Sequence, residues 1–86
     1  MKTEPHPKKI KVSARELVFF KNHWLSGLPT LVSNALRAEG RTDMNRSKVH
    51  RELTTIKHEY DADVINKARE IIKVTKRVEF NPNLLP

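Results

Sequence analysis

Residues 8–37, KKIKVSARELVFFKNHWLSGLPTLVSNALR, decide the fold class. Over residues 8–13, Ile10 and Val12 fall on one side of an extended chain while Lys9, Lys11 and Ser13 fall on the other, the two-residue period of a half-buried strand. From Ala14 the period changes. Leu17, Phe20 and Trp24, with Val18 and Leu25, recur at helical spacing. Ser13 is placed to cap that helix, and Glu16, three residues on, to complete a capping box. In Ser26-Gly27-Leu28-Pro29 the glycine suits a left-handed helix end and the proline the first turn of the next helix. A second helix over residues 29–39 then turns Leu31, Val32, Ala35 and Leu36 inward and Ser33, Asn34 and Arg37 outward, and Gly40 closes it. Phe19, Phe20 and Trp24 are read as core material rather than base-stacking platforms, because aromatics are only 6% of the chain.

Working outward, residues 1–7 carry Pro5 and Pro7 without apolar periodicity and read as an extended arm. Residues 41–46 are a polar connector. Ser47 is then placed to cap a third helix in which Val49, Leu53, Ile56 and Tyr60 recur at spacings of four, three and four residues. Residues 61–63 either open a fourth helix capped by Asp63 or lie within one long helix, and the spacing leaves both open. Beyond them Val64, Ala68, Ile71, Ile72 and Thr75 continue the stripe, with Asp63 placed to pair with Lys67. Pro82 and Pro86 mark residues 79–86 as a tail, in which Leu84 and Leu85 are the apolar residues. The division expected is an arm at 1–7, a strand-helix-helix unit at 8–40, a helical extension at 41–78 and a tail at 79–86. The fold class is mainly α, with one short N-terminal strand and three or four helices. An all-α small domain is the alternative.

With 86 residues and 37% hydrophobic residues, the chain has little material for a core. Chains this small bury only roughly 60% of the surface they expose when unfolded, so a partner or second copy is expected to complete the core. Lys and Arg number 17 against 10 Asp and Glu, a net charge of +7 that favours a polyanionic partner, nucleic acid first. The chain has no cysteine, which excludes disulfides and thiolate zinc sites and points to a reducing compartment. No run approaches the roughly 20 apolar residues of a membrane span, and a cytoplasmic location is expected.

No pattern for catalysis emerges. His6, His23, His50 and His58 lack metal-ligand spacing, Gly27 and Gly40 make no phosphate loop, and Asp61 with Asp63 reads as a helix start rather than an acid-base pair. The expectation is a protein without catalytic residues, metal or cofactor. Basic residues instead fall into groups. Lys2, Lys8, Lys9 and Lys11 lie at the N-terminus. Arg41, Arg46, Lys48 and Arg51 crowd the connector and the third helix, where helix amides add to anion attraction. Lys67, Arg69, Lys73, Lys76 and Arg77 lie on the last helix and read equally well as a solvated face.

With KKIKVSA as a ribbon, ARELVFFKNHWL and TLVSNALR as helices and SGLP between them, residues 8–37 resemble the ribbon-helix-helix transcriptional repressors, the family of the Met and Arc repressors. The resemblance implies a homodimer whose strands pair across the two-fold axis and enter the DNA major groove. By position it implies that Lys9, Lys11 and Ser13 face the bases and that Thr30 with nearby amides holds a phosphate. Lys8, Arg41, Arg46, Lys48 and Arg51 complete the expected DNA contacts, and Ile10 and Val12 would point into the dimer core. The helix-helix interval is shorter than the family's, and Pro29 removes one amide from the phosphate position. A second register places the ribbon at VFFKNHWL and the helices at LPTLVSNALRAEG and from RSKVHREL onward; the first register alternates more cleanly. Two other readings share the charge evidence: a helical adaptor or inhibitor on an acidic protein surface, and an RNA or ribosome binder.

Overall fold

The structure, a computed structural model, describes residues 8–78 and residue 80. The arm at 1–7 and all of the tail except Phe80 lie outside the described residues. Elements follow in the order β1 (Lys9–Ile10), α1 (Ala14–Asn22), α2 (Leu28–Ala38), α3 (Arg46–Thr54), β2 (Tyr60–Asp61) and α4 (Ala62–Lys76). The chain is mainly helical, with one short antiparallel pair of strands.

Alternation in the first segment is real, since Ile10 and Val12 are half-buried while Lys9, Lys11 and Ser13 are exposed. Its partner differs from the expected one. Lys9 pairs with Asp61 and Ile10 with Tyr60 of the same chain, and the Ala62 amide donates to the Lys8 carbonyl at 2.8 Å. The strand that the resemblance would pair across a two-fold axis is paired within the chain, to β2. Alternation predicts an extended segment but cannot name the edge that satisfies its amides, and here β2 supplies it.

Helix starts follow their caps. Ser13 Oγ accepts the Glu16 amide at 3.1 Å and opens α1. Only half of the capping box forms, because the Glu16 side chain turns inward to Arg69. Gly27 adopts φ 77°, ψ 15°, a left-handed conformation costly for any residue with a Cβ, and delivers the chain into α2 with Pro29 in its first turn. The third helix is capped by Asn45, whose Oδ1 accepts the Lys48 amide at 2.9 Å, and not by Ser47. For α4 the cap is Asp61 rather than Asp63, with Asp61 Oδ1 accepting the Asp63 amide at 3.0 Å.

The end of α3 departs further from expectation. The apolar seam of the third helix stops at Leu53; Ile56 is 82% exposed, and Tyr60 reaches the core from a strand. The Tyr60 hydroxyl donates to the Thr55 carbonyl at 2.7 Å and accepts the Lys57 amide at 2.8 Å. These bonds hold residues 55–59 in a non-helical turn, so α3 and α4 are separate helices. Asp63 does not pair with Lys67. It meets Arg41, while Lys67 meets Glu39 and Glu70. On α2, Ser33 is buried rather than exposed because its hydroxyl is satisfied by the Thr30 carbonyl at 3.1 Å. Leu31 and Val18, expected inward, are about half exposed at 47% and 52%.

One apolar core joins all four helices. Phe20 from α1, Leu28, Val32 and Leu36 from α2, Val49 and Leu53 from α3, and Val64, Ile65, Ala68 and Ile72 from α4 are buried together with Met44 and Tyr60. The core thus runs across the boundary drawn at residue 40. Among the described residues no helix is long and apolar enough to cross a membrane.

Candidate nucleic-acid interface

The sequence of α3, RSKVHRELT, carries apolar side chains only at Val49 and Leu53, four residues apart and both buried. Everything else on the helix must face outward or find a polar partner. Arg46, Ser47, Lys48, His50, Arg51 and Thr54 are exposed, six of its nine residues, and none is acidic. The single carboxylate on the helix, Glu52, is drawn aside by the Lys57 ammonium. At 100° per residue, His50, Thr54, Ser47, Arg51 and Lys48 sweep one continuous face opposite the core.

Two hollows flank this face, and Arg51 lines both. One, of about 590 Å³, runs from α3 to the start of α2 and is bordered by Thr30, Arg46, Ser47, His50 and Trp24. Trp24 meets the His50 ring edge-on, with centroids 5.9 Å apart. The other, of about 230 Å³, holds Lys9 from β1 together with Arg41, Lys48 and the carboxylates Asp43, Glu52 and Asp61. Six of the nine residues expected to contact DNA, namely Thr30, Arg46, Lys48, Arg51, Lys9 and Arg41, therefore line the hollows around α3.

Lys8, Lys11 and Ser13 lie elsewhere, and Arg41 is engaged within its hollow. Lys8 is exposed at the head of β1 and gives its carbonyl to Ala62. Lys11 and Ser13 line a separate hollow with Glu16, Phe19, Arg69 and Lys73, and the Ser13 hydroxyl is engaged as the α1 cap. Arg41 is locked among three carboxylates. Its guanidinium donates to Asp43 at 3.0 and 3.1 Å, to Asp61 at 2.9 and 3.3 Å and to Asp63. Hydrogen bonds donated to Asp43 and Asp61 raise the Arg41 pKa well beyond its usual range, against the opposing effect of burial. In return Arg41 holds the Asp43 carboxyl down at about 2. Arg41 is a structural cation tying the α2–α3 connector to β2 and α4. Lys48 is partly engaged in the same cluster, 3.7 Å from Asp43.

On α4 the basic residues are partly spoken for. Arg69 grips the buried Glu16 with two bonds of 2.6 and 2.9 Å, which raise the Arg69 pKa, and Lys67 is held by Glu39 and Glu70. Ser47, His50 and Thr54 share the exposed face of α3 although they carry no charge that marks them in the sequence. Their signal was the four-residue spacing that places Arg46, His50 and Thr54 on one row and Ser47 and Arg51 on the next. Among the described residues no group of three or more His, Cys, Asp or Glu is placed to hold a metal ion. No family model matches the chain, and comparison with curated proteins and with solved structures finds no match.

Proposed function

We propose that this protein binds duplex DNA as a regulator, reading the major groove with the exposed face of α3. The observation that supports the reading is the makeup of that face: Ser47, His50, Arg51 and Thr54 in its middle, cations at its margins, and no acidic residue exposed on the helix. A B-form major groove about 12 Å wide admits one α-helix, and side chains of these types supply the donors and acceptors that distinguish base edges. Arg51 is the residue assigned to a guanine, by the paired bonds a guanidinium makes to one base. Arg46, Lys48 and Lys9 flank the helix and are assigned to phosphates, as is Thr30 at the α2 N-terminus, which no side chain caps. The deep, narrow major groove of duplex RNA does not admit a helix, so DNA is the duplex favoured.

The strand that the family resemblance would make the reading element becomes a flanking support, because β1 pairs with β2. Binding-site selection from random duplex DNA, followed by titration at several salt concentrations, tests the proposal. Arg51→Ala is expected to cost about 1 to 3 kcal/mol on the selected sequence and to relax preference at one position. Lys9→Ala is expected to weaken all sequences alike and lower the salt slope by about 1. Failure to select any sequence, or equal losses for Arg51→Ala on selected and random duplexes, would overturn base reading by α3.

A further inference from the structure

A second surface shares His50 and Thr54 with the outer face of α3 and is otherwise mostly apolar. Between α1 and α3 lies a groove of about 420 Å³ walled by Leu17, Val18, Trp24, Leu53 and Ile56. Val18 is 52% exposed and Ile56 82%, so two large apolar side chains meet water at its rim. Singly exposed apolar residues need no explanation, but two flanking one apolar cleft mark a surface built to be covered. Lys21 is the one charged side chain among the nine lining residues, which include His50 and Thr54 but no carboxylate.

We infer that this groove docks an amphipathic helix of another protein, one whose apolar stripe is flanked by acidic residues. Size argues for a single helix: nine residues line the groove, whereas a standard protein interface uses about 20 to 30 residues a side. Charge argues against a second copy. A two-fold contact centred here would bring Lys21 toward its own copy on a chain that already carries +7. An incoming helix with leucine-like anchors one turn apart would cover Val18 and Ile56, while its carboxylates met Lys21.

Trp24 is the only tryptophan in the chain, so its emission reports occupancy directly in the full-length protein. The probes are a synthetic helical peptide with leucines along one face flanked by glutamates, and its twin with lysines in place of the glutamates. The glutamate peptide is expected to shift Trp24 emission saturably and to bind at least tenfold more tightly than its twin. Ile56→Ser and Val18→Ser, both at exposed positions, should each weaken it several-fold, and Lys21→Glu should reverse the preference between the twins. Equal binding of the two peptides, or unchanged affinity in both serine variants, overturns the inference. So does self-association in sedimentation that Ile56→Ser abolishes, which would assign the groove to a second copy. The titration contains no DNA, so failure of the DNA reading leaves this result standing.

Discussion

Glu16 shows how far a single side chain can depart from its local sequence. Three residues after a serine cap, it has the position of a capping-box partner, yet it is buried and gripped by Arg69 from 53 residues away. A buried carboxylate needs its counter-charge far more than the protein needs the pair itself. Arg69→Met is therefore expected to cost about 3 kcal/mol in urea unfolding, by stranding Glu16. The double variant with Glu16→Leu should regain much of that loss, because it removes both charges and keeps the volume. A double-mutant cycle in which the two losses simply add would show that the ion pair carries no coupling. Nothing within a few residues of either partner signals this bond, which is why Arg69 reads from sequence as one of a solvated basic group.

At the level of elements, the starts of α1 and α2 were legible and the end of α3 was not. Ser13, Gly27 and Pro29 act through their own backbone and nearest turns, so their chemistry can be read in place. The end of α3 depends on Tyr60, whose hydroxyl reaches back across residues 55–59 to bond both sides of the turn. Spacing alone continued the helix through Ile56, since an exposed isoleucine four residues before a buried tyrosine mimics a seam. Tyr60→Phe keeps the ring and removes both bonds, leaving the Lys57 amide and the Thr55 carbonyl without their partner. The expected cost is about 1 to 3 kcal/mol. Faster amide exchange confined to residues 55–59 would locate it, whereas uniform loss of protection would place the effect in the core instead.

Across the whole molecule, composition and charge predicted a small, basic, mainly helical chain, and the exposed face of α3 was half visible in the spacing of Arg46, Lys48 and Arg51. What sequence could not supply was the partition of cations into those that face water and those that hold the fold. Arg41 illustrates the second kind, binding Asp43 two residues away and Asp61 and Asp63 from one distant segment. Asp43 gives this cluster a pH signature. Its carboxyl is lowered from 3.8 to about 2, so its contribution is fully present above about pH 4 and is lost as pH falls through 2. Because Asp43 is about half exposed, the contribution is below about 1 kcal/mol and shrinks with added salt. Thermal melts of wild type and Asp43→Asn should thus differ at pH 5 and converge near pH 2. A constant difference across that range would remove ionisation as the cause.

The pairing of β1 with β2 also bears on the order in which the chain assembles. Lys9 and Asp61 are 52 residues apart, and closing a flexible loop of that length costs roughly 3.5 kcal/mol from the logarithmic term alone. A strand pair of two residues a side returns about 1 kcal/mol per hydrogen bond, too little to meet that cost unaided. The intervening helices must already be packed before the two strands can meet. The shortest elements in the fold are therefore its clasp, fastened only after the rest has folded.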